Sequence, residues 1–295
     1  MTGWTSDDIP DQSGRTAIVT GANSGLGFAT ARQLARRGAH VVLAVRDEAK
    51  GRGAAEAIGG SVEVRRVDLA DLDSVRAFAD GYDNGLDLLV DNAGIMCPPR
   101  RLSPQGHESQ FAANHLGHFA LTGLLLDRLA EGADPRVVVV SSLAHGRGRI
   151  RFEDLTGADG YGPFKFYAQS KLANMLFALE LDRRLRAAGS PVRSLVAHPG
   201  LASTDLVKSY PQPLPAVARM VMPLICQSAE LGALPQLYAA TDPKAEGGQY
   251  IGPDGRKQRK GYPAVVRPAR SGRDLEAARR LWELSEELTG VEYRF

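Results

Sequence analysis

Cysteine is scarce in this 295-residue chain, which has only Cys97 and Cys226. Neither sits in a CxxC pair or at zinc-ligand spacing, so neither a disulfide framework nor a metal site is expected, and the reading is a reduced, intracellular protein. A dominant charge is also missing. The 36 Lys and Arg nearly balance the 34 Asp and Glu, leaving a formal charge of +2. That balance gives no reason to expect nucleic acid or an anionic membrane as the main partner. No apolar run reaches the ~18 residues of a membrane span. The nearest, Leu214 to Cys226, is broken by Pro215, Arg219 and Pro223. Met1 to Ser13 carries Asp7, Asp8 and Asp11 and no apolar stretch, so no signal peptide is expected and the location expected is cytoplasmic. Internal repeats and low-complexity segments are absent too.

What is present is ample core material, with 43% of residues hydrophobic. Short β-branched runs recur at Thr16–Thr20, His40–Val45, Val62–Val67, Leu86–Val90, Val137–Ser141 and Val192–Ala197. Several are almost wholly apolar, as strands buried on both faces should be. Between them Leu26–Arg37, Leu72–Ala79, Glu108–Ala130 and Phe166–Ala187 place apolar residues three and four apart, the helical period. Strand, helix, strand, repeated, predicts one doubly wound α/β domain: a parallel sheet of about seven strands with helices on both faces. We read residues 1–13 as an N-terminal extension and 14–295 as that domain. Beyond it, Gln249–Ile251 reads as one more short strand among turns, and Arg273–Thr289 as an amphipathic helix. Ligands of such sheets bind at the carboxyl ends of the strands.

The first strand runs into Thr20, Gly21, Ala22, Asn23, Ser24, Gly25, Leu26 and Gly27, and a helix follows. Three glycines let the backbone turn tightly and let a pyrophosphate approach the free N–H groups of the helix N-terminus. The spacing is TGxxxGxG rather than GxGxxG, but its place between strand and helix predicts a dinucleotide site. After the second strand, Val45 stands where an acidic ligand for the ribose 2′-hydroxyl of NAD would be. Arg46 follows and suits the 2′-phosphate of NADP; Asp47 as a ribose ligand for NAD(H) is the alternative. Asp68 and Leu69, after the third strand, would border the adenine, or Asp68 would cap the helix after it. Asn92, Ala93 and Gly94, after the fourth strand, let a ribose or a neighbouring loop come close.

The fifth strand ends in Ser141 and Ser142. Later, Tyr167 and Lys171 fall four apart on one face of a predicted helix. A free tyrosine titrates near pH ~10 and is a poor base at neutrality. A nearby ammonium is expected to lower that value and let the phenol exchange a proton with an alcohol or alkoxide.

TGANSGLG at Thr20, DNAG at Asp91, the Ser142 strand end, YAQSK at Tyr167 and HPG at His198 occur in the order of the short-chain dehydrogenase/reductase superfamily, and the chain resembles that superfamily over residues ~14 to 252. NHLGHF at Asn114, SSLAH at Ser141 and YAQSKLAN at Tyr167 are similar to its retinol-dehydrogenase-like branch, to which the light-dependent protochlorophyllide reductases are related. The stretch Gly146–Phe166, with Phe152, Glu153, Asp154 and Leu155, matches an insert of that branch. The resemblance implies a Rossmann-type fold and reversible hydride transfer between NADP(H) and a carbonyl or alcohol carbon of a small molecule. It implies Tyr167 as acid/base, Lys171 as the group that lowers its pKa and holds the nicotinamide ribose, and Ser142 rather than Ser141 as the hydroxyl that orients the carbonyl. It further implies Asn114 as support for a water relay to Lys171, and Pro199, Gly200 and Thr204 as the segment along the nicotinamide. Residues 204–228, apolar and proline-broken, would form a C-terminal substrate lid suited to a bulky apolar compound. A homodimer through the helices Glu108–Ala130 and Phe166–Ala187 is implied as well. Two features depart from the branch: a hydrophobic N-terminal anchor is missing, and Asp91 replaces the usual first Asn. Retinol itself is therefore not implied. A ring double-bond reductase and a non-catalytic NADP-binding sensor are the alternatives. His145 and His198 lack a carboxylate or cysteine cluster, and no GxSxG surrounds Ser142, so neither a metal nor a serine-hydrolase mechanism is expected.

Overall fold

The computed structural model describes residues 3–202 and 226–295. Its centre is an eight-stranded sheet in the order β3-β2-β1-β4-β5-β6-β7-β8. The strands are β1 (Thr16–Thr20), β2 (His40–Val45), β3 (Val62–Arg66), β4 (Leu88–Asp91), β5 (Arg136–Val140), β6 (Arg193–Ala197), β7 (Tyr250–Pro253) and β8 (Pro263–Val265). All neighbours pair in parallel except β7 and β8, which pair antiparallel. Seven strands were expected; β8 is the addition. It is three residues long and only partly buried, too short to show the alternation that marks a strand.

Strand order reverses at β1, which pairs with β2 on one side and β4 on the other. The crevice outside the carboxyl ends of β1 and β4 is the position where such sheets take ligands. Alternation along the strands sends Ile18, Val42, Leu89, Val137 and Val196 to one face. Ala17, Val19, Val41, Leu88 and Leu195 go to the other.

Helices cover both faces: α1 (Gly25–Arg36), α2 (Glu48–Ile58), α3 (Leu72–Asp80), α4 (Ser109–Phe111), α5 (Gly117–Leu124), α6 (Leu126–Ala130), α7 (Pro163–Ala187), α8 (Ala229–Thr241) and α9 (Leu275–Thr289). The expected helix Glu108–Ala130 is interrupted. Between α4 and α5 lies a π turn, Ala112–Leu116, and α5 and α6 meet at Leu125. Helix α9 lies along α7 and the π turn. Ala278 and Leu281 pack with Leu172 and Leu176, and Ser285 Oγ lies 2.9 Å from His115 Nε2. The dimer implied by the resemblance would need other faces of these helices.

Asp91 closes β4 with no exposure to solvent. Its Oδ2 accepts from Thr122 Oγ1 at 3.0 Å, and Oδ1 has no partner among the described residues. Burial pushes its pKa up to about 8, opposed by the Thr122 hydrogen bond. In the unfolded chain it titrates near ~3.9, so between those values folding takes up a proton. Its contribution is fully present below the unfolded value and is lost as pH rises through about 8. Asp91→Asn does not titrate, so melting curves should show the variant gaining on the parent from pH 5 to 8. Parallel curves over that range would overturn the account.

Candidate active site

At the carboxyl end of β1 the chain turns through Gly21, whose φ of +66° favours glycine. Helix α1 then starts at Gly25. Its N-cap, Ser24, makes no side-chain capping bond, so the first-turn N–H groups stay free to meet an anion. Asn23 and Leu26 belong to the same turn and helix start, both half-buried. Gly27 faces the turn so closely that a Cβ there would sit 2.5 Å from the Gly21 carbonyl oxygen and 2.6 Å from Asn92 Nδ2. Asn92 Nδ2 donates to Thr20 O at 2.8 Å. The N–H groups of Asn92 and Ala93 both donate to Thr20 Oγ1 at 2.9 Å. The strand ends of β1 and β4 are thus tied together around the turn.

Arg46 follows β2, is exposed, and has no partner among the described residues. Asp47 is committed elsewhere: it caps α2, accepting from Lys50 N at 3.1 Å. These hydrogen bonds hold its carboxyl below the usual range. Asp68 accepts from Ala70 N at 3.0 Å and is not a helix cap; Asp71 caps α3. Leu69 is buried against Gly117.

The catalytic candidates converge beyond β4 and β5. Ser141 is buried and its Oγ donates to Lys171 O at 2.8 Å. Ser142 is half-buried, and its Oγ accepts from Ala144 N at 3.2 Å, which leaves its own proton and a lone pair for another partner. Of the two, Ser141 has its hydroxyl proton committed to the main chain and Ser142 does not. Tyr167 and Lys171 lie one turn apart on α7, both buried. Lys171 Nζ donates to Val140 O at 3.0 Å, and burial pulls its pKa down to about 8. For Tyr167 the i,i+4 spacing leads to the expectation of a lowered phenol pKa, and burial acts in the other direction. Burial pushes its phenol up to about 12, opposed by a hydrogen bond with Ser142, and Lys171 does not offset the rise.

Asn114 sits inside the π turn. It accepts from Ile95 N at 2.8 Å and donates to Ile95 O at 3.0 Å and Ser170 Oγ at 2.9 Å. A Cβ on Gly94 would lie 3.2 Å from Asn114 Oδ1 and 3.4 Å from Lys171 Nζ, which places the β4 loop against both. Pro199 and Gly200 follow β6, where Gly200 N donates to His198 Nδ1 at 3.2 Å and Pro199 O accepts from Gln227 Nε2 at 2.7 Å. Thr204 and most of the lid, residues 203–225, lie outside the described residues.

Several supporting residues were not singled out from the sequence. Asn174 Nδ2 shares Val140 O with Lys171, at 3.1 Å. Its signal was the run Tyr167 to Asn174, which puts 167, 171 and 174 on one helical face. Gln110 accepts from Cys97 N at 2.8 Å and donates to Tyr161 Oη at 2.9 Å and Pro163 O at 3.0 Å. Tyr161 donates to Pro98 O at 2.9 Å. These bonds fasten the β4 loop to the start of α7, and no motif announces them. His145 is held by Ser142 O and Ala269 N, at 2.7 and 3.1 Å. Among the described residues, no group of three or more His, Cys, Asp or Glu could hold a metal.

The model of the short chain dehydrogenase family matches residues 15–214. Mouse polyprenol dehydrogenase is 43% identical over 297 residues, covering 96% of this chain and 86% of its own. Bovine retinol dehydrogenase 12 is 42% identical, covering 95% of this chain and 88% of its own. The crystal structure of an uncharacterized protein from Mycobacterium paratuberculosis superposes with a TM-score of 0.86 at 49% identity over the whole of both chains. A short chain dehydrogenase from Shigella flexneri, complexed with NADP, gives 0.63 at 25% identity over 81% of this chain and 97% of its own. The chain belongs to the short-chain dehydrogenase/reductase superfamily, in its retinol-dehydrogenase-like branch, and is an oxidoreductase of that family.

The turn gives a direct test. Gly27→Ala drives a methyl into the Gly21 carbonyl, which is backbone and has little room to yield. Thermal melting should show a loss of ~1–3 kcal/mol, the usual scale of overpacking, together with weaker dinucleotide binding in a fluorescence titration. A variant as stable and as tightly binding as the parent would show that the turn yields freely.

Proposed function

We propose that the chain is an NADP(H)-dependent dehydrogenase/reductase acting on the carbonyl or alcohol carbon of a bulky apolar small molecule. The observation that carries this reading is the convergence of Ser142, Tyr167, Lys171 and Asn114 at the strand ends, beside an uncapped helix N-terminus. That turn fits a dinucleotide: the N–H groups of α1 meet the pyrophosphate, and Gly27, lacking a Cβ, lets the helix start close against Gly21 and Asn92. Arg46 meets the 2′-phosphate. NAD is disfavoured because the one carboxylate beside Arg46, Asp47, is spent capping α2. When bound, the dinucleotide supplies or takes the hydride.

The chain's own residues do the rest. Ser142 Oγ–H donates to the substrate oxygen, where negative charge develops as the carbonyl is reduced. Tyr167 gives that oxygen its phenolic proton. Burial pushes the phenol up to about 12, so it holds a proton to give at neutral pH, and in the reverse reaction the same oxygen takes the alcohol proton back. Lys171 holds the nicotinamide ribose and restores the proton to Tyr167. Met96, Cys97 and Ala144 pack around Tyr167. Phe164 is 45% exposed, with its ring centroid 6.4 Å from that of Tyr167. This apolar surround suits a greasy substrate, in keeping with relatives named for polyprenol and retinol. Residues 204–228 are proposed to close over it, and the protein to work in the cytoplasm.

Purified protein given NADPH and aldehydes and ketones of increasing apolar size should consume the reduced cofactor, faster with the larger compounds. No consumption with any carbonyl would sink the reading. Tyr167→Phe should lower kcat by ~10²–10⁴-fold, the range of a lost general acid, with cofactor binding retained. Arg46→Ala should weaken NADPH binding by ~1.5–3 kcal/mol, the scale of a charged hydrogen bond, with little effect on NADH. Tighter binding of NADH than NADPH by the parent would reverse the cofactor assignment.

A further inference from the structure

His118 lies one turn beyond Asn114 and is 1% exposed. It belongs to none of the groups assigned so far. Its Nε2 lies 2.9 Å from Thr20 Oγ1, and its Nδ1 lies 3.0 Å from the main-chain oxygen of Asn114. The ring therefore joins the end of β1, where the nucleotide turn begins, to the π turn that carries Asn114.

Counting protons fixes how it joins them. A threonine hydroxyl has two acceptor positions and one proton. Both acceptor positions on Thr20 are filled, by the N–H groups of Asn92 and Ala93. What remains is the hydroxyl proton, which faces His118 Nε2 at 2.9 Å and Val90 O at 3.3 Å. Whichever of the two takes it, Nε2 has no acceptor to donate to. The imidazole proton must then be on Nδ1, donated to Asn114 O. Burial also keeps the ring neutral, lowering its pKa to about 4, and the nearby Lys171 ammonium adds to that effect. The other histidine of the motif, His115, is buried alongside and is held neutral by burial as well.

The same count applied to Asn114 shows why this matters. Both N–H positions of its amide are engaged, by Ile95 O and Ser170 Oγ, and its Oδ1 takes the Ile95 N–H. The side chain has no proton to spare. What Asn114 can offer a relay water is its main-chain carbonyl, an acceptor with two lone pairs, and that is the atom 3.0 Å from His118 Nδ1.

We propose that His118 is a positioning residue for catalysis: as the neutral Nδ1–H tautomer it fixes the Asn114 carbonyl and locks it to Thr20, so that the groups supplying protons to Lys171 stay in register with the nucleotide turn. This rests on the proposed roles of Lys171 and Asn114, so one measurement is chosen that needs no turnover. In ¹⁵N-histidine NMR spectra of the full chain, His118 should be the Nδ1–H tautomer and should not titrate between pH 5 and 9. An Nε2–H tautomer or an imidazolium in that range overturns the proposal, whether or not any carbonyl is reduced.

Variants test the consequence on the active enzyme. An asparagine side chain places its amide near the Nδ1 position, whereas glutamine places its amide near Nε2. His118→Asn should keep the bond to Asn114 O and stay within about threefold of the parent kcat. His118→Gln should keep only the bond toward Thr20 and lower kcat by ~10- to 100-fold, as misplacement at a distance does, with KM for the carbonyl compound nearly unchanged. His118→Leu should fall with the glutamine variant. Equal kcat in the asparagine and glutamine variants, or a leucine variant as fast as the parent, refutes the proposal. So does failure of both amide variants to fold, because His118 would then be a packing residue only.

Discussion

A side-chain amide standing in for a strand neighbour holds the site together. Beyond Asp91, β4 ends and the backbone of Ile95 has no partner strand. Asn114 supplies both missing bonds, one accepted and one donated, and its remaining N–H goes to Ser170 on α7. An amide reaches that place only because the π turn adds a residue to the helix and rotates the segment beyond it. The β4 loop, the broken helix and the catalytic helix are therefore positioned by one residue. Remove that pairing and Gly94 loses its fixed distance to Lys171.

Dryness is the second constraint. Tyr167, Lys171, His118 and Asp91 are all buried, and for each the uncharged form is favoured by its surroundings. Inside such a medium, charges interact strongly and protons move only where a partner is already in place. That is why hydrogen-bond counts at Thr20 and Asn114 have consequences for chemistry. At an exposed site, water would fill any gap and the count would decide nothing.

Much of this was legible in the sequence, for physical reasons that differ by element. Strand β2 has the same bounds as its run because its five buried positions, Val41 to Val45, are all apolar, as suits a strand covered on both faces. The glycines at 21, 25 and 27 and the pair Tyr167 and Lys171 were readable because each answers a steric or spacing demand. Helix α2 carries Gly51 and Gly53 and buries only small residues, so it shows little apolar period. The π turn was hidden because the helix around it is apolar nearly all round, so a shift of phase leaves no visible break in the pattern. Tyr161 was hidden because its contacts, Gln110 and Pro98, are distant in sequence. The pairing of Tyr167 with Lys171 suggested a lowered phenol pKa; burial, which spacing does not encode, pushes it up.

Helix α9 and the residues after it cover the broken helix. Tyr293 Oη donates to Phe119 O at 2.7 Å across 174 residues of sequence; Trp282 meets the Phe119 ring edge-on and Tyr293 meets it at a tilt. On a ribosome the chain is made from one end, so the element bearing Asn114 emerges long before its cover. Until then the side of Leu116, Phe119, Leu172 and Leu176 that meets Ala278, Leu281, Trp282 and Tyr293 is uncovered. The last residues made are thus the ones that close the cover over the helix bearing Asn114.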